Sequence, residues 1–108
     1  MSKAGSLGAF EQVVLAALLH LGNKAYGASI RREIEERIGR DASLGAIYTT
    51  LERLGEKGFV SSHMGEATPE RGGRPKRYFK IKAPGLRAFY ETRSTMDRMY
   101  KGLRPVAV

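Results

Sequence analysis

The chain has 108 residues, which is one domain and no more, and at that size only about two-thirds of the unfolded surface is buried on folding. It contains no cysteine, which excludes disulfides, thiolate metal sites and cysteine nucleophiles. A formal net charge of +8 and a pI near 10.1 favour a polyanionic partner, either nucleic acid or an anionic membrane surface.

The first periodic segment runs from about Leu7 to Leu21, with Phe10, Val14, Ala17 and Leu21 at helical spacing, and Gly22 and Asn23 end it. A second helix starts near Tyr26, carries Ile30, Ile34 and Ile38 on one stripe, and stops at Gly39. Its other face mixes Arg31, Arg32, Glu33, Glu35, Glu36 and Arg37 and reads as solvated surface. A third helix begins at the N-cap residue Ser43, without a capping box because Ala46 stands where an acid would be needed. Leu44, Ile47, Leu51 and Leu54 form its inward stripe, and Gly55 and Gly58 close it. At about 100° per residue, Thr49 lies opposite that stripe, Gly45 and Arg53 lie beside it, and Tyr48 and Thr50 lie on the flanks.

Phe59 to Met64 reads as a strand, Gly65 to Gly73 as a loop, and Arg74 to Lys82 as the returning strand of a hairpin. Such a hairpin must lean on the helices, because two strands alone are barely stable in water. The last helix follows Pro84, and Leu86, Phe89, Arg93, Met96, Tyr100 and Leu103 make a short heptad seam along it, below the length that establishes a coiled coil alone; the alternative is that this face packs on its own domain. The tail from Arg104 to Val108 is expected to fray. The expected fold is mainly α (α+β), a winged helix-turn-helix in the order helix-helix-helix-strand-strand-helix. Residues 1–83 would be the DNA-binding part and 84–108 the dimerisation helix and tail.

Two constellations carry the functional reading. The outward residues of the third helix are small and polar (Gly45, Ala46, Thr49, Thr50) with one strong donor, Arg53. Small residues let a helix sit deep in a major groove, where Thr and Arg reach base edges or phosphates. Glu52 and Glu56 oppose this, but fall toward the end of the helix, where it can be leaving the groove. The run 71–82 then supplies Arg71, Arg74, Lys76, Arg77, Lys80 and Lys82 with no acid, around Gly72, Gly73 and Pro75. Arginine at a hairpin tip can enter a minor groove or clamp a phosphate.

The other readings have less behind them. Membrane binding would call for exposed Trp, Phe or Leu beside the charges, and the tip has none. RNA binding would want an exposed aromatic stacking platform, and only Tyr78 and Phe79 are near, at least one of which must face the core. The longest apolar run, Val13 to Leu19, falls far short of a membrane span, and Met1 to Ser6 do not resemble a signal peptide, so a cytoplasmic protein is expected. His20 and His63 stand far apart without carboxylates at ligand spacing, so no metal site, no cofactor and no catalytic apparatus are expected.

Three stretches carry a family resemblance: Ala25-Tyr26-Gly27-Ala28-Ser29-Ile30, the helix from Ser43 to Gly58 with Ile47-Tyr48, and Gly73-Arg74-Pro75-Lys76-Arg77-Tyr78-Phe79. Over roughly residues 7 to 103 the chain resembles the PadR family of bacterial transcriptional regulators, in particular its short subfamily with a single C-terminal helix. The resemblance implies a homodimer that represses transcription from a palindromic operator, with the last helix pairing with its mate and with the first helix. It maps DNA contact onto Tyr26, Ser43, Tyr48 and Lys76. Some relatives also bind small aromatic effectors between the dimer halves. This chain has no Trp to stack in such a pocket, and Phe89, Met96, Met99 and Tyr100, which could line one, are at this helical spacing more often simple core or interface packing.

The chain departs from the family pattern at Leu44 and Thr49, often Pro, and at Lys82-Ala83, often Thr-Glu. The first departure alters the reading surface, so operator sequence does not transfer. The second only weakens a helix cap. The expected DNA-binding set is therefore Tyr26, Ser43, Gly45, Tyr48, Thr49, Thr50, Arg53, Arg71, Arg74, Lys76 and Arg77. The expected dimer interface is Phe10, Val14, Leu86, Phe89, Arg93, Met96, Tyr100 and Leu103. The alternative is a winged-helix protein-interaction module without specific DNA binding, in which the charge is incidental.

Overall fold

The computed structural model describes residues 7–65 and 75–105. Helix α1 spans Ala9–Leu21 and runs into a short 3₁₀ turn at Gly22–Lys24; α2 spans Gly27–Ile38 and α3 Leu44–Glu56. Strands β1 (Val60–Met64) and β2 (Arg77–Ile81) follow, and α4 spans Ala83–Tyr100. The element order is the one expected from the sequence, and the architecture is a winged helix. The expected turn at Gly72 and Gly73, with Arg71 and Arg74, and the tail beyond residue 105 lie outside the described residues.

Local chemistry accounts for the starts of the first three helices and the end of α2. The Glu11 carboxylate accepts from the Gly8 N–H at 2.9 Å at the start of α1. At α2 the Ser29 hydroxyl accepts from the Tyr26 N–H at 2.9 Å and donates back to the Lys24 carbonyl at 2.7 Å. Gly39, at φ 65°, ends α2 in the left-handed conformation that side chains resist. Ser43 caps α3 by accepting from the Ala46 N–H at 3.0 Å. Lys82 precedes α4 with no side-chain cap, so the Lys82-Ala83 departure does leave that helix start uncapped.

The core joins Val14, Leu15 and Leu18 of α1, Ile30 and Ile34 of α2, and Ile47, Leu51 and Leu54 of α3. Phe59, Val60, Phe79, Ala88 and Phe89 close it from the hairpin and α4. Each large apolar side chain buried this way contributes about 1.5–3 kcal/mol relative to exposure. Beside it the Lys57 ammonium, just past α3, donates to both Glu11 oxygens at 2.9 and 3.1 Å. Burial raises the Glu11 carboxyl, but Lys57 and the Gly8 N–H outweigh it, and the group is held below its ordinary value of 4.5.

Strands β1 and β2 pair antiparallel from Val60 opposite Ile81 to Met64 opposite Arg77. On its other edge β2 also meets the residues just before α2: Tyr26 bridges Tyr78, and the Phe79 N–H donates to the Ala25 carbonyl at 2.9 Å. That third partner was not expected from the sequence. It fastens the wing to the start of α2.

Several expected orientations are corrected. Ile38 is 57% exposed because it is the last residue of α2, past the end of the core. Leu44 is 38% exposed because it opens α3, ahead of the first turn that meets α1 and α2. The α4 seam is also shorter than the spacing suggested. The helix ends at Tyr100, so Leu103 lies beyond it, while every residue from Arg93 to Tyr100 is exposed.

Candidate nucleic-acid interface

Helix α3 presents Gly45, Ala46, Tyr48, Thr49 and Arg53 to solvent, and Ser43 is exposed at its N-terminus. Because Ser43 Oγ accepts from the Ala46 N–H, its own proton is left to donate outward. Thr50 corrects the sequence expectation. It is only 5% exposed and turned into the body beside Leu51 and Leu54, so it does not belong to the outward set. The flank it occupies is covered once the other elements pack, which a helical wheel does not reveal.

Tyr48 links the helix to the wing. Its ring lies 6.2 Å from that of Phe79, and its hydroxyl end packs directly on Gly27 at the start of α2. A Cβ at position 27 would lie 2.7 Å from Tyr48 Cζ, so a side chain there would displace the ring. Next to this contact, a groove of about 490 Å³ separates α3 from the hairpin, lined by Leu51, Glu52, Glu56, Ser61, Arg77 and Phe79 among others. Glu52 and Glu56 are both exposed on this side, toward the C-terminal half of α3.

The described part of the wing brings Tyr26, Lys76 and Tyr78 together. Lys76 Nζ sits 5.1 Å from the centre of the Tyr26 ring, within reach of its π face. Tyr26 meets Tyr78 edge to face at 5.6 Å, and His63 stacks on the far side of Tyr78 at 5.8 Å with planes 19° apart. Lys76 and Arg77 are exposed. Thus the structure gathers Tyr26, Tyr48, Lys76 and Arg77 around the junction of α2, α3 and β2, while Arg71 and Arg74 fall outside the described residues. Gly27, His63 and Tyr78 belong to the same neighbourhood but were not among the expected site residues. The only trace of Gly27's part was an aromatic directly preceding a glycine at a helix start.

The expected dimer residues divide. Val14 is fully buried and Phe89 is 9% exposed, so both belong to the monomer's own core and not to an interface. Their apolar periodicity marked burial without saying against what. Phe10 is half-buried beneath the Arg40 guanidinium, 4.4 Å from its ring centre. Leu86, Met96 and Tyr100 are exposed at 38, 42 and 57%, and Met99 on the same helix at 71%. The described residues contain no cluster able to hold a metal ion and no helix long and apolar enough to cross a membrane.

Comparison with known proteins agrees with this geometry. In structure the chain is similar to a PadR-like transcription factor from Bacteroides fragilis (TM-score 0.73, 23% identity, 85% of this chain and 84% of that one). It is similar to a transcriptional regulator from Clostridium thermocellum (TM-score 0.73, 20% identity, 94% and 92%). It also matches F93 from STIV, a winged-helix DNA-binding protein (TM-score 0.67, 18% identity, 86% and 92%). No curated protein matches the chain. At these identities the structural likeness carries the fold, and family membership rests on the sequence itself. The PadR-like transcriptional regulator family model matches residues 14–91, and the chain belongs to that family of transcriptional regulators, which are not enzymes.

Proposed function

We propose that this regulator is a homodimeric, sequence-specific DNA-binding repressor acting in the cytoplasm on a palindromic operator. The observation that carries the reading is the union of an exposed, small-residue helix face (Gly45, Thr49, Arg53) with a cationic wing bonded to the start of α2. Helix α3 enters the major groove, with Thr49 and Arg53 at base edges and Ser43 and Tyr48 on phosphate. Tyr26, Lys76 and Arg77, with Arg71 and Arg74, hold the flanking backbone and supply affinity without sequence preference.

Residues 1–83 form the DNA-binding part, and α4 pairs with its mate through Leu86, Arg93, Met96 and Tyr100, assisted by Phe10. In the dimer two reading helices stand about 34–36 Å apart, or a multiple of that, which is why the operator is palindromic. A small aromatic effector would be held between the halves against Met96, Met99 and Tyr100. The exposure of every residue from Arg93 to Tyr100 supports a partner for this part of α4.

The deciding experiment is a gel shift with random duplex at low and moderate salt, followed by selection of bound sequences. Binding that weakens with salt, together with an enriched palindrome, is the expected result. No binding at low salt would favour the protein-interaction module.

A further inference from the structure

Lys76 is ordered from two directions. Its backbone carbonyl accepts from the Gly65 N–H at 2.7 Å, across the base of the wing. Its ammonium rests over the Tyr26 ring, which stands edge to face against Tyr78. Tyr78 is itself enclosed. His63 stacks on one side, Tyr26 bridges it through the backbone, and Gly65 lies so near that a Cβ there would be 2.6 Å from Tyr78 Cε1.

We infer that Tyr78 is a positioning residue for DNA binding: wedged between Gly65, His63 and Tyr26, it holds the Tyr26 ring as the platform that aims the Lys76 ammonium at phosphate. A free lysine side chain samples many rotamers, so a platform that orders it beforehand lessens the entropy lost on binding. The phenol oxygen of Tyr78 has no part in this, since the contacts are made by the ring. This inference rests on the reading of Lys76 as a phosphate contact.

The test measures duplex affinity and its salt dependence for Lys76→Ala, Tyr78→Leu, the double variant, Tyr78→Phe and Gly65→Ala, with thermal unfolding of each. Tyr78→Leu is expected to weaken binding roughly two- to fivefold, the scale of one exposed cation–π contact. Tyr78→Phe should bind as the parent does. Gly65→Ala, whose Cβ would lie 2.6 Å from Tyr78 Cε1 but at the more tolerable 3.4 Å from the Lys76 carbonyl, should reproduce the loss seen in Tyr78→Leu even if the leucine variant folds poorly.

In the Lys76→Ala background the Tyr78→Leu change should cost nothing further, because there is no ammonium left to aim. An equal loss in both backgrounds would show that Tyr78 merely stabilises the wing, and would overturn the proposal. Full affinity in Tyr78→Leu and Gly65→Ala while Lys76→Ala weakens binding would overturn it while leaving the DNA-binding reading intact. A Lys76→Ala variant that binds normally, beside a parent that binds DNA, removes Lys76 from the contacts and the proposal with it. A parent that binds no duplex sinks the DNA-binding reading itself.

Discussion

The hydroxyl end of Tyr48 occupies the space that a side chain at Gly27 would need, so α3 and the start of α2 are in contact through one ring and one missing Cβ. Tyr48 thereby becomes a fixed strut. Its ring spans from Gly27 toward Phe79 on the wing's second strand. The start of α2, α3 and the wing, the three parts of the proposed DNA-binding surface, meet at this residue.

Gly27→Ala should therefore displace Tyr48. The expected outcome is a loss of about 1–3 kcal/mol in stability by urea denaturation, as for overpacking, and weaker DNA binding. In a Tyr48→Ala background the same change should be neutral or stabilising by up to about 1 kcal/mol, since alanine is the better helix former once the clash is gone.

Thr49 and Thr50 are neighbours with opposite fates, and mutation should separate them. Thr49→Ala and Arg53→Ala should relax base preference at particular operator positions, by about 1–3 kcal/mol for an arginine that reads guanine, scored by sequence selection. Thr50→Ala should leave the selected sequence unchanged and cost about 1 kcal/mol of folding stability instead.

On the wing, Arg74→Ala and Lys76→Ala together should weaken binding to every duplex alike. The slope of log affinity against log salt should become shallower by roughly one to two. An unchanged slope would take the wing out of the contact surface.

Glu11 contributes to the acid sensitivity of the fold. Its carboxyl titrates below the ordinary 4.5 because the Lys57 ammonium and the Gly8 N–H outweigh the burial that raises it, so ionised Glu11 favours the folded chain. The stabilisation is complete above the unfolded value and is lost as pH falls through the lower folded one. Urea midpoints should thus hold near neutrality and decline below about pH 4.5. Glu11→Gln should lower the neutral midpoint, by about 1–3 kcal/mol in stability, and flatten its contribution to the acid decline.

Met96 and Tyr100 are exposed in the single chain, so changing them should not disturb its core. Met96→Glu with Tyr100→Glu places like charges across a symmetric seam. Sedimentation at micromolar concentration should then give a folded monomer that binds the operator more weakly. A persisting dimer would move the interface away from α4.

The winged-helix order was legible in local patterns. Apolar spacing of 3.6 marked α1 to α4, Gly39 and Ser43 marked boundaries, and alternation marked β2, because these depend on neighbours within a turn or two of chain. The cationic wing and the small-residue face of α3 were legible for the same reason: charge and side-chain size are properties of single residues. Family membership followed from their combination and spacing.

What packs against what depends on contacts between residues far apart in the chain, and there the patterns were ambiguous. Val14 and Phe89 sit at periodic apolar positions just as Met96 does, yet they are buried in the monomer's core while Met96 remains open. Thr50 looked like Thr49 until packing covered one and left the other exposed. The bridge from Tyr26 to Tyr78, the rings that order Lys76 and the Gly27–Tyr48 contact join residues more than ten positions apart. No periodicity encodes such meetings, because they exist only once the helices have docked and β2 has reached the start of α2.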